Sequence, residues 1–90
     1  MLTAVHTRQF ERDVKRLRRR GKDMGKLQAV ARSLLAEEPL DPLRRDHRLV
    51  GKYQGLRECH IEPDWLLIYV RQGDGIVFAR SGTHSDLFRE

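Results

Sequence analysis

Apolar residues recur at the spacing of one helix face early in the chain. Phe10, Val14 and Leu17 occupy positions i, i+4 and i+7, and the positions around them are mostly charged. Thr7 precedes this stretch and belongs to a residue type that caps helix N-termini, while Gly21 is suited to end the helix. The pattern predicts an amphipathic helix with a narrow apolar stripe.

A second helix is predicted directly after the first. Asp23 is placed to cap it, and its apolar positions again follow the helical period. These positions are Met24, Leu27, Val30, Ala31, Leu34 and Leu35. Each helix has a single apolar stripe that must be covered, so we expect the two helices to pack as a hairpin against one face of a sheet.

Strand patterns lie on both sides of this helical hairpin. Short apolar runs that contain β-branched and aromatic residues and are separated by turn residues are typical of strands. The predicted strands are residues 2–6, 56–62, 65–71 and 76–81, with a hairpin turn at 73–75. Pro39 and Pro42 keep the segment 37–46 extended or irregular. Thr83 can cap one helical turn over residues 83–88.

This order of elements, β-α-α-β-β-β, predicts one α+β domain over residues 1–90. We expect an N-terminal strand and a helical hairpin packed on a mainly antiparallel sheet of about four strands, followed by a short C-terminal helical turn. A chain of 90 residues is long enough for one domain only.

Positive charge is concentrated in the N-terminal third of the sequence. The chain has a net charge of +5, which favours a polyanionic partner. Residues 1–32 hold ten Lys and Arg against three Asp and Glu, a net of +7, whereas residues 33–90 hold eight against ten, a net of −2. The basic side chains of the first helix are either a solvated face or a surface for phosphates or an acidic protein. Six of them define it: Arg12, Lys15, Arg16, Arg18, Arg19 and Arg20.

Cysteine content and hydropathy exclude several classes of protein. Cys59 is the only cysteine, so an internal disulfide is impossible, and no signal peptide or membrane-spanning run is present. Cysteine and the four histidines have no tight metal-ligand spacing. We therefore expect a cytoplasmic protein with no bound metal and no small-molecule cofactor.

Three histidines of the C-terminal half are candidates for acid–base chemistry. His47, His60 and His84 each adjoin a predicted turn or strand end. Strand alternation puts His60 on the face opposite Cys59 and therefore away from the helix-covered core. Asp64 follows in the next turn, where a carboxylate can reach an imidazole and stabilise its charged form. Alternatively, the histidines are ordinary surface residues and Asp64 only shapes its turn.

Such a group can cleave RNA by attack of the ribose 2'-hydroxyl on the adjacent phosphorus. One group must remove the hydroxyl proton, another must protonate the departing 5'-oxygen, and a cation must stabilise the phosphate charge. Arg80 is the first candidate for this cation, and Lys52 and Arg57 are the second choices; Arg80 could also be an ordinary strand-end charge. The strand aromatics are interpreted as packing residues, namely Trp65, Tyr69 and Phe78.

Several motifs occur together in a specific order. They are Lys22-Asp23-Met24, Lys26-Leu27, Asp46-His47, Leu49, Gly51, Gly55, Arg57, His60-Ile61-Glu62-Pro63-Asp64-Trp65, Leu67-Ile68-Tyr69, Arg80-Ser81-Gly82-Thr83-His84 and Leu87-Phe88. In these motifs the chain resembles the YafQ branch of the RelE/ParE superfamily of bacterial type II toxins over nearly its whole length. The first strand is shorter, and the first helix richer in arginine, than this resemblance leads us to expect.

The resemblance implies a RelE-like fold, ribosome-dependent cleavage of mRNA and neutralisation by a cognate antitoxin. It also implies catalytic roles for His47, His60, Asp64 and His84, and a substrate contact for the C-terminal aromatic Phe88. We expect His84 to be the general acid, His60 or Asp64 the general base, and His47 a group that orients substrate or stabilises charge.

Two other functions are compatible with the same fold. A non-enzymatic inhibitor of the ParE kind would bind DNA gyrase and has no need of the histidine and aspartate set. A degenerate toxin would retain only RNA or antitoxin binding. The complete set of candidate catalytic residues favours the endoribonuclease.

Overall fold

The computed structural model describes residues 1–88, in which three helices and five strands follow the predicted order with one strand added. They are β1 (Thr3–His6), α1 (Arg8–Arg19), α2 (Met24–Leu35), β2 (His47–Arg48), β3 (Arg57–Glu62), β4 (Trp65–Gln72), β5 (Gly75–Gly82) and α3 (His84–Phe88). Short 3₁₀ turns precede and follow β2, at Pro42–Arg44 and Gly51–Tyr53.

The strands form one sheet in the order β1-β5-β4-β3-β2. β1 runs parallel to β5, and every other neighbouring pair is antiparallel. The predicted α+β architecture with a mainly antiparallel sheet is therefore confirmed, with five strands in place of about four. The additional strand is β2, and two residues are too few for an alternating pattern to be visible in the sequence.

Both helices of the hairpin begin where the sequence predicted. The side chain of Thr7 accepts a hydrogen bond from the Phe10 amide at 3.0 Å, and the carboxylate of Asp23 accepts one from the Gly25 amide at 3.0 Å. The apolar stripes of α1 and α2 cover one face of the sheet and form the main core. Its buried members are Phe10, Leu17, Leu27, Val30, Cys59, Ile61, Trp65, Leu67, Tyr69, Ile76 and Phe78. The strand aromatics are thus packing residues, as predicted.

The opposite face of the sheet, called here the open face, carries no helix of the hairpin. A smaller apolar cluster of Leu66, Ile68 and Leu87 lies on it, because α3 folds back over its centre. Alternation in β3 sends Cys59 to the main core and His60 to the open face, as predicted. No helix within residues 1–88 is long and apolar enough to cross a membrane.

The end of β5 borders on α1 and not on a strand, because β1 stops at His6. Thr7 donates a hydrogen bond from its hydroxyl to the Ala79 carbonyl at 2.8 Å. Further along, the carboxylate of Asp13 accepts the Ser81 amide at 3.0 Å and is itself only 2% exposed. Side chains of α1 thereby take the place of a missing strand partner where β5 leads into α3.

Candidate active site

Three of the predicted site residues meet at one end of the sheet because of the strand register. In the sheet, Leu66 of β4 pairs with His60 of β3 on one side and with Gly82 of β5 on the other. The β3–β4 turn carries Asp64, and α3 begins with His84 directly after β5. Residues from three separate parts of the sequence are therefore neighbours, and the imidazole centroids of His60 and His84 lie 6.0 Å apart.

Asp64 holds His84 through two hydrogen bonds to a single carboxylate oxygen. The backbone amide of His84 donates to Oδ1 at 2.9 Å, and its ring nitrogen Nδ1 donates to the same oxygen at 2.7 Å. These two bonds hold the pKa of the Asp64 carboxyl below its usual value, and the bond from the backbone amide has the larger effect. Since Nδ1 is engaged, Nε2 is the nitrogen that His84, 46% exposed, can offer to a substrate.

His60 is paired with a carboxylate that the sequence reading did not select. Its Nε2 lies 3.2 Å from Oε1 of Glu58, and its Nδ1 donates to the Pro63 carbonyl at 3.2 Å. Glu58 is only 5% exposed. The signal that could have found it was its place two residues before His60, on the same face of the strand. Each ring nitrogen of His60 thus lies within hydrogen-bonding distance of an oxygen, which fixes the orientation of the ring.

Two aromatic rings lie beyond His84 on the open face. Phe88 lies 6.2 Å from the His84 ring and 5.5 Å from the Tyr53 ring, measured between centroids. The Tyr53 hydroxyl donates to the Leu87 carbonyl at 3.0 Å, which ties the 3₁₀ turn to α3. The ammonium of Lys52 stands 5.2 Å above the Tyr53 ring. Phe88 therefore lies beside His84, and Lys52 lies farther along the open face beside Tyr53, a residue that the sequence analysis did not select.

A β-bulge turns Arg80 toward the open face. Phe78 pairs with Tyr69 and Arg80 with Ile68, so Ala79 is an extra residue in β5. Without it, Arg80 would share the helix-covered side of Phe78. Its Nη1 instead approaches the Tyr53 hydroxyl at 3.4 Å.

The other donors of Arg80 bind Asp13. Nε and Nη2 of Arg80 donate to the two carboxylate oxygens at 2.8 and 3.1 Å, and Arg16 adds a third contact at 2.9 Å. The hydrogen bonds to Asp13 raise the pKa of the Arg80 guanidinium. A signal for Asp13 existed in the sequence, because it lies among the apolar positions of α1, where an acid needs a partner.

The remaining two predicted residues, His47 and Arg57, lie apart from the histidine pair. His47 is opposite Glu58 in the sheet, so it projects on the open face, where its exposed ring donates from Nδ1 to the Arg45 carbonyl at 2.6 Å. Arg57 lies on the other side of β3 and forms an ion pair with Asp46 at 3.2 Å. The structure thus places His47 next to the site but not in contact with His60 or His84, and turns Arg57 away from it.

A cavity of about 410 Å³ adjoins His60 at the edge of the sheet. It is lined by Leu43, Arg44, Arg45, His60, Ile61, Glu62 and Pro63. Pockets for small ligands have volumes of about 300–1,000 Å³, so this space is large enough for part of a substrate. Among residues 1–88, no three His, Cys, Asp or Glu side chains are grouped so that they could hold a metal ion.

Comparison with known proteins identifies the same fold and the same kind of protein. A family model described as a bacterial toxin of type II toxin-antitoxin system, YafQ, matches residues 2–89. The mRNA interferase toxin YafQ of Escherichia coli K12 is 42% identical over 81 residues, which cover 89% of this chain and 88% of that protein.

Two solved structures extend the similarity to three dimensions. One is the E. coli DinJ–YafQ complex, with a TM-score of 0.89, 38% identity and coverage of 98% of this chain and 99% of the other. Another is a copper-bound mutant toxin from Helicobacter pylori, with a TM-score of 0.92, 41% identity and coverage of 98% and 100%. Fold and sequence together define a toxin of the bacterial type II toxin–antitoxin systems. Within that class, the chain belongs to the YafQ family.

Proposed function

We propose that this toxin is an endoribonuclease that cuts mRNA on the ribosome by attack of the ribose 2'-hydroxyl on phosphorus. The observation that carries the proposal is the pair of imidazoles on the open face, His60 and His84, each held by its own carboxylate. The relationship to an E. coli protein named an mRNA interferase supports RNA as the substrate.

In the proposed reaction, a base removes the 2'-hydroxyl proton while the 2'-oxygen bonds to phosphorus. The bond from phosphorus to the 5'-oxygen breaks, and an acid delivers a proton to that oxygen. The products are a 2',3'-cyclic phosphate and a 5'-hydroxyl. This route requires two proton-transfer groups close to one phosphodiester, and no step needs a metal ion.

His84 is the general acid in this proposal. The carboxylate of Asp64 binds Nδ1 and fixes the orientation of the ring, so Nε2 is the nitrogen that carries the proton for the 5'-oxygen. His60 acts as the base: its Nδ1 donates to the Pro63 carbonyl, so Nε2 is the nitrogen that takes the proton, and the carboxylate of Glu58 beside it stabilises the imidazolium that forms. Asp64, the alternative base, is less suited to this role because its pKa is lowered and it already accepts two hydrogen bonds.

Positive and aromatic groups on the open face complete the proposed site. Arg80 supplies charge to the phosphate, since its guanidinium is turned to the open face and kept protonated by Asp13. Lys52 adds a second cation, and Phe88 provides a ring against which a base can stack. His47 orients the substrate from the neighbouring strand.

The openness of the site supports dependence on the ribosome. The side chain of Asp64 is 65% exposed and that of His84 is 46% exposed, so the protein alone has few surfaces that could hold an RNA strand in the correct orientation. In-line geometry contributes several kcal/mol to catalysis, and a bound ribosome could provide it. A cognate antitoxin and ribosomal RNA are the further partners, and an mRNA substrate implies action in the cytoplasm.

The mechanism can be tested with a reporter mRNA in a reconstituted translation system. We expect fragments with 2',3'-cyclic phosphate and 5'-hydroxyl ends, and no cut where a single 2'-deoxynucleotide replaces the ribose at the cleaved position. His84→Ala should abolish the cut. His6→Ala is the matched control, because His6 packs against Phe10 and Phe78, on the other side of the sheet from His84. Cleavage at the deoxy position would contradict the mechanism.

A further inference from the structure

The six basic residues that the sequence groups together on α1 differ in their contacts. Arg16 and Arg20 form ion pairs with carboxylates: Arg16 with Asp13 at 2.9 Å, and Arg20 with Asp86 at 2.7 Å. The other four are exposed on the helix surface, namely Arg12, Lys15, Arg18 and Arg19. Part of the arginine run therefore has an intramolecular role that a phosphate-binding surface does not explain.

The contact of Arg20 reaches the short helix that carries His84. Nη1 and Nη2 of Arg20 donate to both oxygens of Asp86, at 2.7 and 3.0 Å, across 66 residues of sequence. This is the bidentate geometry in which a guanidinium fixes the orientation of a carboxylate. Arg20 keeps 42% of its side chain exposed, whereas Asp86 keeps only 12%.

Asp86 in turn fixes the beginning of α3. Its carboxylate accepts the Thr83 amide at 3.0 Å, and its own amide donates to the Thr83 hydroxyl at 3.1 Å, which is a reciprocal capping arrangement. A Cβ on Gly82 would lie 2.9 Å from the Asp86 side chain, so β5 and α3 are in close contact here. The guanidinium of Arg20 holds the pKa of Asp86 far below its usual value.

A helix of five residues has little stability of its own and depends on tertiary contacts. Besides the bonds of Tyr53 to Leu87 and of Asp64 to His84, the contacts of α3 are the burial of Leu87 in the open-face cluster and the hydrogen bonds of Asp86. The amide and the ring of His84 must both stay in place for the two bonds to Asp64. The contact at Asp86 is therefore a determinant of where the His84 ring lies.

We propose that Arg20 is a positioning residue for His84, acting through Asp86 and the capped start of α3. The inference rests on the proposed function, in which His84 is the general acid. The arginine-rich helix would thus serve the cleavage reaction directly, in addition to any contact that its exposed side makes with RNA.

The test is Arg20→Gln, which removes the bidentate contact at an exposed position and leaves the buried core unchanged. We expect cleavage of reporter mRNA on ribosomes to fall about 10- to 100-fold, because small displacements of a catalytic group have effects of this size. Ring ¹⁵N resonances of His84 should shift, since its bond to Asp64 is disturbed. Unaltered cleavage or an unaltered His84 spectrum would overturn the proposal.

Two control variants separate positioning from loss of positive charge. Arg32→Gln removes one charge from an exposed position of α2 and should cleave like the wild type. Arg19→Gln removes one charge from the same helix as Arg20, next to it, and measures the electrostatic contribution of α1. The loss caused by Arg20→Gln must exceed that of Arg19→Gln, and equal losses in the two variants would overturn the proposal.

A double-variant cycle tests whether Arg20 acts through Asp86. Asp86→Asn should also reduce cleavage although it makes the protein more positive, and the combination with Arg20→Gln should be no worse than the stronger single variant. Additive losses would contradict the proposal. If His84→Ala itself cleaves normally, the proposed function fails. If His84→Ala is inactive and Arg20→Gln is fully active, only the positioning role fails.

Discussion

The carboxylate of Asp13 should be among the most sensitive positions of this protein, although it lies outside the histidine pair. It is 2% exposed and accepts hydrogen bonds from both Arg80 and Arg16 and from the Ser81 amide. In Asp13→Ala, the Arg80 guanidinium and the Ser81 N–H are left in a largely buried place without their acceptor.

The expected loss of stability is large for so small a domain. Removing one partner of a buried ion pair costs about 3–5 kcal/mol. A domain of this size has a free energy of unfolding of about 5–13 kcal/mol, from 0.05–0.15 kcal/mol per residue. Each kcal/mol lowers the melting temperature by about 4–8 °C at this length, so Asp13→Ala should lower it by about 12–40 °C.

Urea unfolding followed by tryptophan fluorescence is a suitable assay. Trp65 is the only tryptophan of the chain, is fully buried and donates a hydrogen bond to the Ser81 hydroxyl, beside the altered contact. Asp23→Ala is the comparison, because it removes an exposed helix cap worth about 1 kcal/mol. Combining Asp13→Ala with Arg80→Met should recover part of the loss, since the guanidinium of Arg80 is no longer buried without its partner and Arg16, the other cation paired with Asp13, is 34% exposed. A loss below about 1 kcal/mol in Asp13→Ala would refute this reasoning.

Four further predictions concern single residues. Glu58→Gln should reduce mRNA cleavage about 10- to 100-fold because it removes the carboxylate that faces His60; activity like that of the wild type would contradict the paired base. Gly82→Ala should lower both cleavage and the melting temperature, since its methyl group would meet Asp86 at 2.9 Å. The Arg20 guanidinium lowers the pKa of Asp86, so the ionised carboxylate stabilises the folded protein above the usual pKa of 3.8, and this stabilisation is lost as the pH falls below that value. Urea midpoints measured from pH 5 to pH 2 should therefore fall less in Asp86→Asn than in the wild type. Burial raises the pKa of Cys59 to about 12, so a thiol reagent at pH 8 should react only with unfolded protein, and immediate reaction of the folded form would contradict this.

The parts of the fold that local sequence determines could be predicted. Thr7 and Asp23 mark the helix starts because a capping side chain binds an amide only two or three residues away. The face of His60 followed from strand alternation, which needs only the neighbouring residues. These features depend on short-range geometry, so the sequence pattern was sufficient.

The features that escaped prediction depend on contacts between distant parts of the chain. The bulge at Ala79 reverses the side on which Arg80 projects, and simple alternation gives no sign of it. Arg80 finds its partner Asp13 67 residues away, across the free edge of β5. Alternation puts Glu58 on the same face as His60, but its role depends on burial beside His60, which only the packed structure defines.

In the proposed function, the toxin cleaves mRNA with the histidine pair on its open face. The most direct measurement is growth after induced expression of the wild type and of His84→Ala, with primer extension of a reporter mRNA in each culture. We expect growth arrest and new mRNA ends with the wild type, and neither with His84→Ala. Growth arrest by both proteins without new mRNA ends would contradict the proposed function and would indicate an inhibitor that acts by binding alone.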